Sequence, residues 1–533
     1  MKLRRIEIQN CNWCPDLAID VRGHLVLVGP NEAGKSTVLR MLDALLAWSH
    51  GRLVSEFGLT VFRDVDRFMS VTVKLGDLNG DDRAAFADEI AVVDGQEPSL
   101  SLELLITRSS EDPDGVDIQR RFQKEGVAPV RLIQRHLAGI RWTLLSASRS
   151  ADRELGRGKS GTVASLLASI DLGEEEAGLA DAVRKLNEFL ATSGVLEESR
   201  RQIATAFSEV FPRVIKVDDL QMQLSAGHNP LDDVDVRLAS SSGQHISLLD
   251  QSDGLRSLSI ISLQLLVRSE ATITAVDEPE VHLHPRSQAR LGRLLASKQG
   301  QRVVASHAPA LVRNFPPSDV VAFTSVGVRQ LSAGQIESDK KFFSQWWVEA
   351  TLEALTSNSV LLVEGASDAI VVRRAAELSS IDLDHKGVCV VVLGGANNFS
   401  NAYRLLGPKG FGVPIFSLVD ELEATIPAKA LGVAEIDLEA SNVFTCQTDL
   451  EDVYVKALGA ASVADSLLRS GLFKDNRLRQ SHGVTSLSSA TEDQLLDLCR
   501  NEKVQAAIAI SETLTLSDLP NLGPVARLAR ALS

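Results

Sequence analysis

The chain opens with alternating short apolar runs and polar loops, a pattern typical of α/β proteins. Residues 24–28 (HLVLV) are an apolar run of strand length. Residues 38–46 (VLRMLDALL) place their apolar side chains on one face of a helix. Between them lies the nonapeptide 29–37, GPNEAGKST. The pattern therefore predicts a strand, a glycine-rich loop and a helix in direct succession.

This nonapeptide fits the phosphate-loop pattern G-x-x-x-x-G-K-[ST] in full. Its glycines allow backbone N–H groups to surround phosphate oxygens, and the helix N-terminus adds a favourable dipole. We expect Lys35 to reach the β- and γ-phosphates of ATP and Ser36 to bind Mg²⁺. The other predicted nucleotide contacts of the loop are Gly29, Asn31, Gly34 and Thr37.

Two later apolar runs each end in side chains suited to ATP hydrolysis. Residues 271–276 lead to Asp277 and Glu278, which is a Walker B pattern. Asp277 is expected to hold Mg²⁺, and Glu278 to polarise the attacking water. Residues 302–306 form a further strand pattern that delivers His307 to a position where it can sense the γ-phosphate.

A fourth motif precedes the Walker B strand. Ser252-Asp-Gly254 stands before an apolar helical pattern at residues 260–267. The fixed order of the four motifs resembles the ABC-type ATPases of the SMC and recombination-repair branch. That resemblance implies that Ser252 and Gly254 contact ATP held by a second subunit, so that ATP closes a head-to-head homo-oligomer.

The last third of the chain carries carboxylates at the ends of predicted parallel strands. Residues 359–363 lead to Glu364 and Asp368, and residues 414–419 lead to Asp420. Carboxyl ends of parallel strands lie along one edge of a sheet, where such folds place their sites. A carboxylate cluster there would bind Mg²⁺ or Mn²⁺ and support phosphodiester cleavage.

This region resembles a Toprim domain. An ABC-type ATPase followed by Toprim is the layout of the OLD (overcoming lysogenization defect) nucleases and of the nuclease subunit of the Gabija phage-defence system. The resemblance implies a metal-binding and catalytic set of Glu364, Asp368, Asp420, Glu451 and Lys503. In this set Glu364 and Asp368 belong to E-G-x-x-D, and Lys503 lies near the scissile phosphate.

One position departs from the Toprim pattern. The second aspartate of D-x-D would fall at residue 422, which is Leu422. Glu421 or Glu423 could substitute, although neither has the D-x-D spacing. The departure leaves open a rearranged site, a weakened metal or a lost nuclease activity.

The predicted architecture is α/β, with an ABC/SMC-like ATPase, a helical insertion and a C-terminal Toprim domain. We expect the ATPase at residues 1–160 and 216–340, the insertion at 161–215 and the Toprim domain at 341–533. The insertion is rich in Ala, Leu, Glu and Arg, and would serve as a dimerisation arm or cap the sheet.

Composition narrows the function further. The 533 residues carry a net charge of −15, which disfavours a protein coated in nucleic acid, although the basic segment 120–159 could follow DNA or simply face solvent. Five scattered cysteines give no disulfide framework. With no transmembrane run or signal peptide in the sequence, we expect a cytoplasmic protein.

Two functions follow from these patterns. The favoured one is an ATP-dependent, Mg²⁺- or Mn²⁺-dependent DNA endonuclease in anti-phage defence, working with DNA, with further copies of itself and with a possible helicase or reverse transcriptase partner. The alternative is an SMC-like ATP switch whose degenerate Toprim domain binds but does not cleave.

Overall fold

The computed structural model comprises two compact units, Met1–Val321 and Ala322–Ser533. It describes the chain apart from residues 93–94, 96, 125–127, 147–174, 225–233, 241–242, 248–249, 268–272, 298–299, 339, 348, 474–485 and 533. No helix within this described part is both long and apolar enough to cross a membrane.

The N-terminal unit combines a six-stranded antiparallel sheet, a three-stranded antiparallel sheet, a parallel sheet and flanking helices. Its described strands are β1 (Lys2–Gln9), β2 (Leu17–Asp20), β3 (Leu25–Val28), β4 (Met69–Gly76), β5 (Leu100–Arg108), β6 (Val116–Gln123), β7 (Val130–Arg131), β8 (Trp142–Ser146), β9 (Leu220–Leu224), β10 (Val234–Ala239), β11 (His245–Ser247), β12 (Ile273–Asp277) and β13 (Gln301–Ser306). Its described helices are α1 (Lys35–Leu46), α2 (His50–Glu56), α3 (Gly80–Ala85), α4 (Gln134–Ile140), α5 (Glu175–Thr192), α6 (Gly194–Val210), α7 (Asp253–Val267), α8 (Pro285–Ser297) and α9 (Pro309–Val312).

The six-stranded antiparallel sheet has the strand order β2-β1-β4-β5-β6-β7. Alternation along its strands sends one row of side chains inward. Ile6 lies opposite Val73, which in turn lies opposite Leu102, and all three are fully buried. Such cross-strand apolar rows stabilise a sheet through burial and contact. The sheet thereby supplies one wall of the core against which α1 packs.

The parallel sheet aligns the strands that carry the nucleotide motifs. Within this unit β3 pairs with β13, β13 with β12, and β12 with β8. Val28 is in register with Ser306, and Ala305 with Asp277. The loops that follow β3, β12 and β13 therefore leave the sheet side by side at one edge.

Helix α1 is fastened to this sheet by a buried carboxylate. Asp43 accepts hydrogen bonds from the indole N–H groups of Trp48 at 2.7 Å and Trp142 at 2.9 Å. The last turn of α1 is also capped, because Arg120 donates to the carbonyl oxygens of Trp48 at 2.6 Å and Ala44 at 3.3 Å. Arg120 is buried, so it is neither a solvated charge nor a DNA contact.

The predicted helical insertion is described in part. Residues 161–174 lie outside the described residues, and from Glu175 onward the chain forms α5 and α6. Helix α6 buries Ile203, Phe207 and Val210 on one face. Phe189 on α5 and Val195 on α6 are exposed.

The C-terminal unit is built on a four-stranded parallel sheet in the order β17-β16-β18-β19. Its described strands are β14 (Val320–Thr324, which begins in the preceding unit), β15 (Gly327–Gln330), β16 (Ser359–Val363), β17 (Val388–Val392), β18 (Ile415–Asp420) and β19 (Val443–Cys446). Its described helices are α10 (Ala333–Ser338), α11 (Lys340–Trp346), α12 (Glu349–Ala354), α13 (Ala366–Leu378), α14 (Phe399–Leu406), α15 (Thr425–Leu431), α16 (Leu450–Leu458), α17 (Ala460–Arg469), α18 (Glu492–Asn501), α19 (Lys503–Thr513) and α20 (Pro524–Ala531).

The register of this sheet places three site segments together. Val363 is in register with Leu418, and Asp420 with Cys446. The residues that follow β16, β18 and β19 consequently share its carboxyl edge. Behind them, α13, α16 and α19 pack into one apolar core that includes Val372, Tyr454 and Ile510.

Candidate functional site

The phosphate loop joins β3 directly to α1, as the apolar pattern predicts. Gly34 has φ +93°, a left-handed conformation that glycine adopts at little cost. A Cβ at this position would lie 2.9 Å from the Cβ of Cys14 and 3.1 Å from its Cα. Both conformation and space therefore require glycine at residue 34.

Lys35 begins α1 and turns back over the loop. Its Nζ donates to the carbonyl oxygens of Gly29 at 2.8 Å and Pro30 at 2.6 Å. The residue is 4% exposed, and its burial lowers the pKa of the ammonium group. Asn31 is exposed at the tip of the loop, and Thr37 is half-buried beside Ser36.

The two residues predicted to share Mg²⁺ meet across the sheet. The Ser36 hydroxyl donates to a carboxylate oxygen of Asp277 at 2.8 Å. Burial is the main reason that the pKa of Asp277 is raised, with Glu278 and Glu280 adding negative charge and Ser36 acting in the opposite direction. A hydroxyl and a carboxylate in contact are a donor pair that suits Mg²⁺.

Glu280 belongs to none of the predicted site residues, yet it contacts the predicted γ-phosphate sensor His307. One of its oxygens accepts hydrogen bonds from the Ser306 hydroxyl at 2.8 Å and the His307 backbone N–H at 2.7 Å. The same oxygen lies 3.2 Å from Nδ1 of His307. Glu280 is 3% exposed and therefore contacts His307 from the interior of the protein, while the imidazole remains half-exposed.

Glu278 stands next to this pair with φ +44°, an unusual value for a glutamate. Its backbone N–H donates to the Ala305 carbonyl at 2.9 Å, which ties the end of β12 to β13. Strained backbone of this kind is found where a side chain must be aimed at a reacting group. Glu278 and His307 thus leave neighbouring strands at the same edge as the phosphate loop.

The Ser252–Gly254 motif forms the start of α7. Ser252 is exposed, and its carbonyl accepts the Arg256 N–H at 2.9 Å. A Cβ at Gly254 would lie 2.6 Å from the backbone oxygen of His282. Gly254 therefore has a packing role within its own subunit, in addition to the predicted contact with a partner's ATP.

The second site lies at the carboxyl edge of the parallel sheet in the C-terminal unit. Glu364 follows β16, Asp368 lies in the first turn of α13, and Asp420 ends β18. Asp368 accepts the Gly365 N–H at 2.8 Å, which fixes its side chain. Burial, followed by the nearby Asp368 carboxylate, raises the pKa of Asp420 to about 7.

Glu451 and Lys503 come together at the same edge. Lys503 Nζ lies 3.5 Å from a carboxylate oxygen of Glu451, and Glu451 is 1% exposed. Neither Glu451 oxygen accepts a hydrogen bond from the residues that the structure describes. Burial opposes the charge of Lys503, yet its pKa is raised overall by the carboxylates of Glu451, Asp420, Asp368 and Glu364.

The residues after Asp420 lie in three different environments. Glu421–Glu423 form a 3₁₀ turn, and the Leu422 side chain is 85% exposed. Glu421 accepts the Thr448 backbone N–H at 3.1 Å. Glu423 instead faces Glu364: burial first, and then the neighbouring Glu423 carboxyl, raise the pKa of Glu364 to about 8.

The chemistry of this donor set fits a hard divalent cation. The oxygen donors that converge here are all carboxylates, which Mg²⁺ and Mn²⁺ prefer. Glu423 and Glu451 also have buried oxygens without a hydrogen-bond donor among the described residues. Within the same residues, no three His, Cys, Asp or Glu side chains form a ready-made metal cluster.

Two family profiles match the chain. Residues 25–313 match the family described as "AAA domain, putative AbiEii toxin, Type IV TA system", and residues 355–421 match the "Overcoming lysogenization defect protein-like, TOPRIM domain". One profile falls within each unit. A comparison with curated proteins found no match.

Comparison with solved structures gives partial similarities. The C-terminal region of the Xanthomonas campestris pv. campestris OLD protein is 26% identical, covering 33% of this chain and 96% of that one, with a TM-score of 0.28. The C-terminal region of the Burkholderia pseudomallei OLD protein is 22% identical over 33% and 96% of the two chains, with a TM-score of 0.27. The SMC head domain from Thermotoga maritima is 14% identical over 62% and 100%, with a TM-score of 0.35.

Proposed function

Because this chain belongs to the family of AAA-domain ATPases that carry an OLD-like Toprim domain, we propose that it is an ATP-hydrolysing, metal-dependent DNA endonuclease. The observation that carries the nuclease is the convergence of Asp368, Asp420 and Glu451 on Lys503 at one sheet edge. Four parallel strands bring these residues together from distant parts of the sequence.

In the ATPase site each side chain has a separate task. The backbone N–H groups of the loop and the ammonium of Lys35 bind the phosphates, once Lys35 leaves the carbonyls it now contacts. Ser36 and Asp277 would hold Mg²⁺. Glu278 orients water and accepts its proton, while His307, positioned by Glu280, contacts the γ-phosphate.

In the Toprim site the carboxylates hold the metal and the lysine binds substrate. Glu364, Asp368, Asp420 and Glu451 would ligate Mg²⁺ or Mn²⁺, which supplies Lewis-acid activation of the scissile phosphate and of water when bound. Lys503 offers a positive charge to a non-bridging phosphate oxygen. Its ion pair with Glu451 keeps the ammonium beside the carboxylates before DNA arrives.

Assembly is the third part of the proposal. Ser252 is exposed at the start of α7, where it is free to reach ATP bound to a second copy of the chain. Helices α5 and α6 carry exposed apolar residues, among them Phe189 and Val195, that suit a dimerisation arm. ATP-driven pairing of two such copies would control access of DNA to the Toprim edge.

Cleavage of supercoiled plasmid tests the nuclease. The wild-type chain is incubated with Mg²⁺ or Mn²⁺, with and without ATP, beside Glu364→Ala and the matched control Glu512→Ala, an exposed glutamate of the same unit. We expect nicking or linearisation that Glu364→Ala abolishes and Glu512→Ala retains. Cleavage that survives Glu364→Ala would show that the site is assigned wrongly.

The ATPase is tested separately. Lys35→Ala should abolish ATP binding, whereas Glu278→Gln should keep binding and slow hydrolysis by roughly 10²–10⁴-fold, the usual contribution of a general base. If both variants hydrolyse ATP at the wild-type rate, the nucleotide site lies elsewhere. A role in phage defence predicts that cells expressing the wild-type chain, but not Lys35→Ala or Glu364→Ala, plate phage less efficiently.

The leucine at residue 422, in place of the second aspartate, favours one alternative function, an ATP switch with a silent Toprim domain. That protein would hydrolyse ATP and bind DNA but leave plasmid intact under every condition. DNA binding by gel shift, together with ATP turnover and no cleavage, would identify it.

A further inference from the structure

The segment after β18 has a backbone geometry that changes which side chain faces the metal-binding edge. Asp420 leaves the strand in an extended conformation, and Glu421–Glu423 then form a 3₁₀ turn. A 3₁₀ helix has three residues per turn, so successive side chains diverge by about 120°. Leu422 and Glu423 therefore point to different sides of the turn.

The side-chain environments agree with this geometry. Leu422 is 85% exposed, which places it away from the edge. Glu421 is exposed and accepts the Thr448 N–H. Glu423 is half-buried, its carboxyl group neighbours that of Glu364, and its Oε2 is buried without a hydrogen-bond donor among the described residues.

We propose that Glu423 is a metal-binding carboxylate of the Toprim site and takes the place of the missing second aspartate at position 422. The pattern that binds metal in this chain is thus D-x-x-E across a 3₁₀ turn. This inference rests on the proposed function, since it names a ligand of that same site. With Glu423 as the ligand, Leu422 has no part in metal binding.

Two carboxyl groups facing each other inside a protein need a positive partner. With Glu364 and Glu423 side by side, a proton or a cation must offset the repulsion of the two charges. The ammonium of Lys503 is engaged with Glu451, at 3.5 Å. A divalent cation between Glu364 and Glu423 would satisfy both carboxylates and give the orphaned Oε2 a ligand bond.

The test is Mn²⁺ binding to the full chain, without nucleotide or DNA. Binding is measured by electron paramagnetic resonance, as the loss of the signal of free Mn²⁺. Glu423→Gln keeps the size of the side chain and removes the charge. We expect it to weaken Mn²⁺ binding at least about tenfold, since losing even an outer-shell group of a metal site costs 10–100-fold. Glu421→Gln and Leu422→Ala are matched controls and should bind as the wild type does.

A rescue experiment separates position 422 from position 423. Leu422→Asp added to Glu423→Gln should leave binding weak, because residue 422 points to solvent. Wild-type affinity in Glu423→Gln, recovery of affinity on adding Leu422→Asp, or no Mn²⁺ binding by the wild-type chain would each overturn the inference. Thermal melting of every variant checks that a weaker site is not an unfolded one, and Glu423→Asp, which keeps the charge on a shorter side chain, should bind better than Glu423→Gln.

Failure of this inference is distinct from failure of the nuclease. A wild-type chain that binds Mn²⁺ through Glu423 but cuts no plasmid refutes the endonuclease and leaves the ligand assignment standing. If the wild-type chain and Glu423→Gln cut plasmid equally well and bind Mn²⁺ with equal affinity, the assignment of Glu423 as a ligand is refuted. The endonuclease activity is then still supported.

Discussion

Glu280 provides a sharp test of how the ATPase site is held together. It is nearly fully buried and, within the part of the chain that the structure describes, one of its oxygens accepts hydrogen bonds from the Ser306 hydroxyl and the His307 N–H. Glu280→Ala would remove that oxygen and leave both donors without an acceptor. Glu280→Gln would keep an oxygen in place and remove only the charge.

The magnitude follows from these two contacts. A hydrogen bond to a charged group contributes about 1.5–3 kcal/mol, so the two together contribute about 3–6 kcal/mol to the local structure. If only about 2.7 kcal/mol of this is lost from the transition state, the rate falls about 100-fold. We expect roughly that loss of kcat for Glu280→Ala and about a tenfold loss for Glu280→Gln, which forfeits charge but little geometry.

Steady-state ATP hydrolysis and a double-mutant cycle measure the effect. If Glu280 acts through His307, then Glu280→Gln should cost little in a His307→Ala background. Glu103→Gln is the matched control, because Glu103 is a similarly buried carboxylate in the antiparallel sheet, paired with Arg121 at 2.5 Å. Equal losses of kcat with and without His307, or an equal loss in Glu103→Gln, would refute the reasoning.

Three further results are expected. Gly34→Ala should weaken binding of a non-hydrolysable ATP analogue, measured by calorimetry. A left-handed φ costs an alanine about 1–2 kcal/mol, and overlap with Cys14 costs about 1–3 kcal/mol. The control Gly80→Ala, whose Cβ would meet nothing within 4 Å, should bind the analogue normally. Gly254→Ala should lower the melting temperature of the isolated chain by several degrees, since its Cβ would meet a backbone oxygen at 2.6 Å; an unchanged melting temperature would limit this glycine to the partner's ATP. The pKa of Glu364 is raised from 4.5 to about 8, so its contribution to stability is full below pH 4.5 and is lost as the pH rises to about 8. The melting temperature measured in EDTA should therefore fall over this pH range. The fall should be smaller in Glu364→Gln.

The fold was predictable where a local pattern decides the element. The strand, loop and helix at residues 24–46 follow from apolar spacing and from the glycines. The α/β class with an ATPase followed by a Toprim domain is confirmed. Long-range contacts were not predictable in this way. Arg120 reads as one of many basic residues, and only the packing of β6 beside α1 turns it into a buried helix cap.

The candidate site shows the same division. Ser36 and Asp277 belong to recognisable motifs, and the structure brings them into contact. Glu280 escaped notice because its role depends on β12 and β13 being neighbours, which a linear motif does not encode. In the sequence Glu421 and Glu423 are equal candidates to replace the missing aspartate, because the D-x-D pattern assumes an extended chain. The two glutamates that flank Leu422 are the signal in the sequence, and the 3₁₀ turn supports the proposal for Glu423.

The two hydrogen bonds that Asp43 accepts from indole N–H groups have a spectroscopic consequence. Trp48 and Trp142 donate to this carboxylate, and Trp13 stacks beneath Arg40 of the same helix at 5.4 Å. Three of the five tryptophans therefore surround α1, the helix that starts at the phosphate loop. With Trp346 and Trp347 replaced by phenylalanine, the remaining fluorescence would come from indoles around α1 alone. The protein thus contains a built-in optical probe, without any added dye, for movement of that helix when nucleotide arrives.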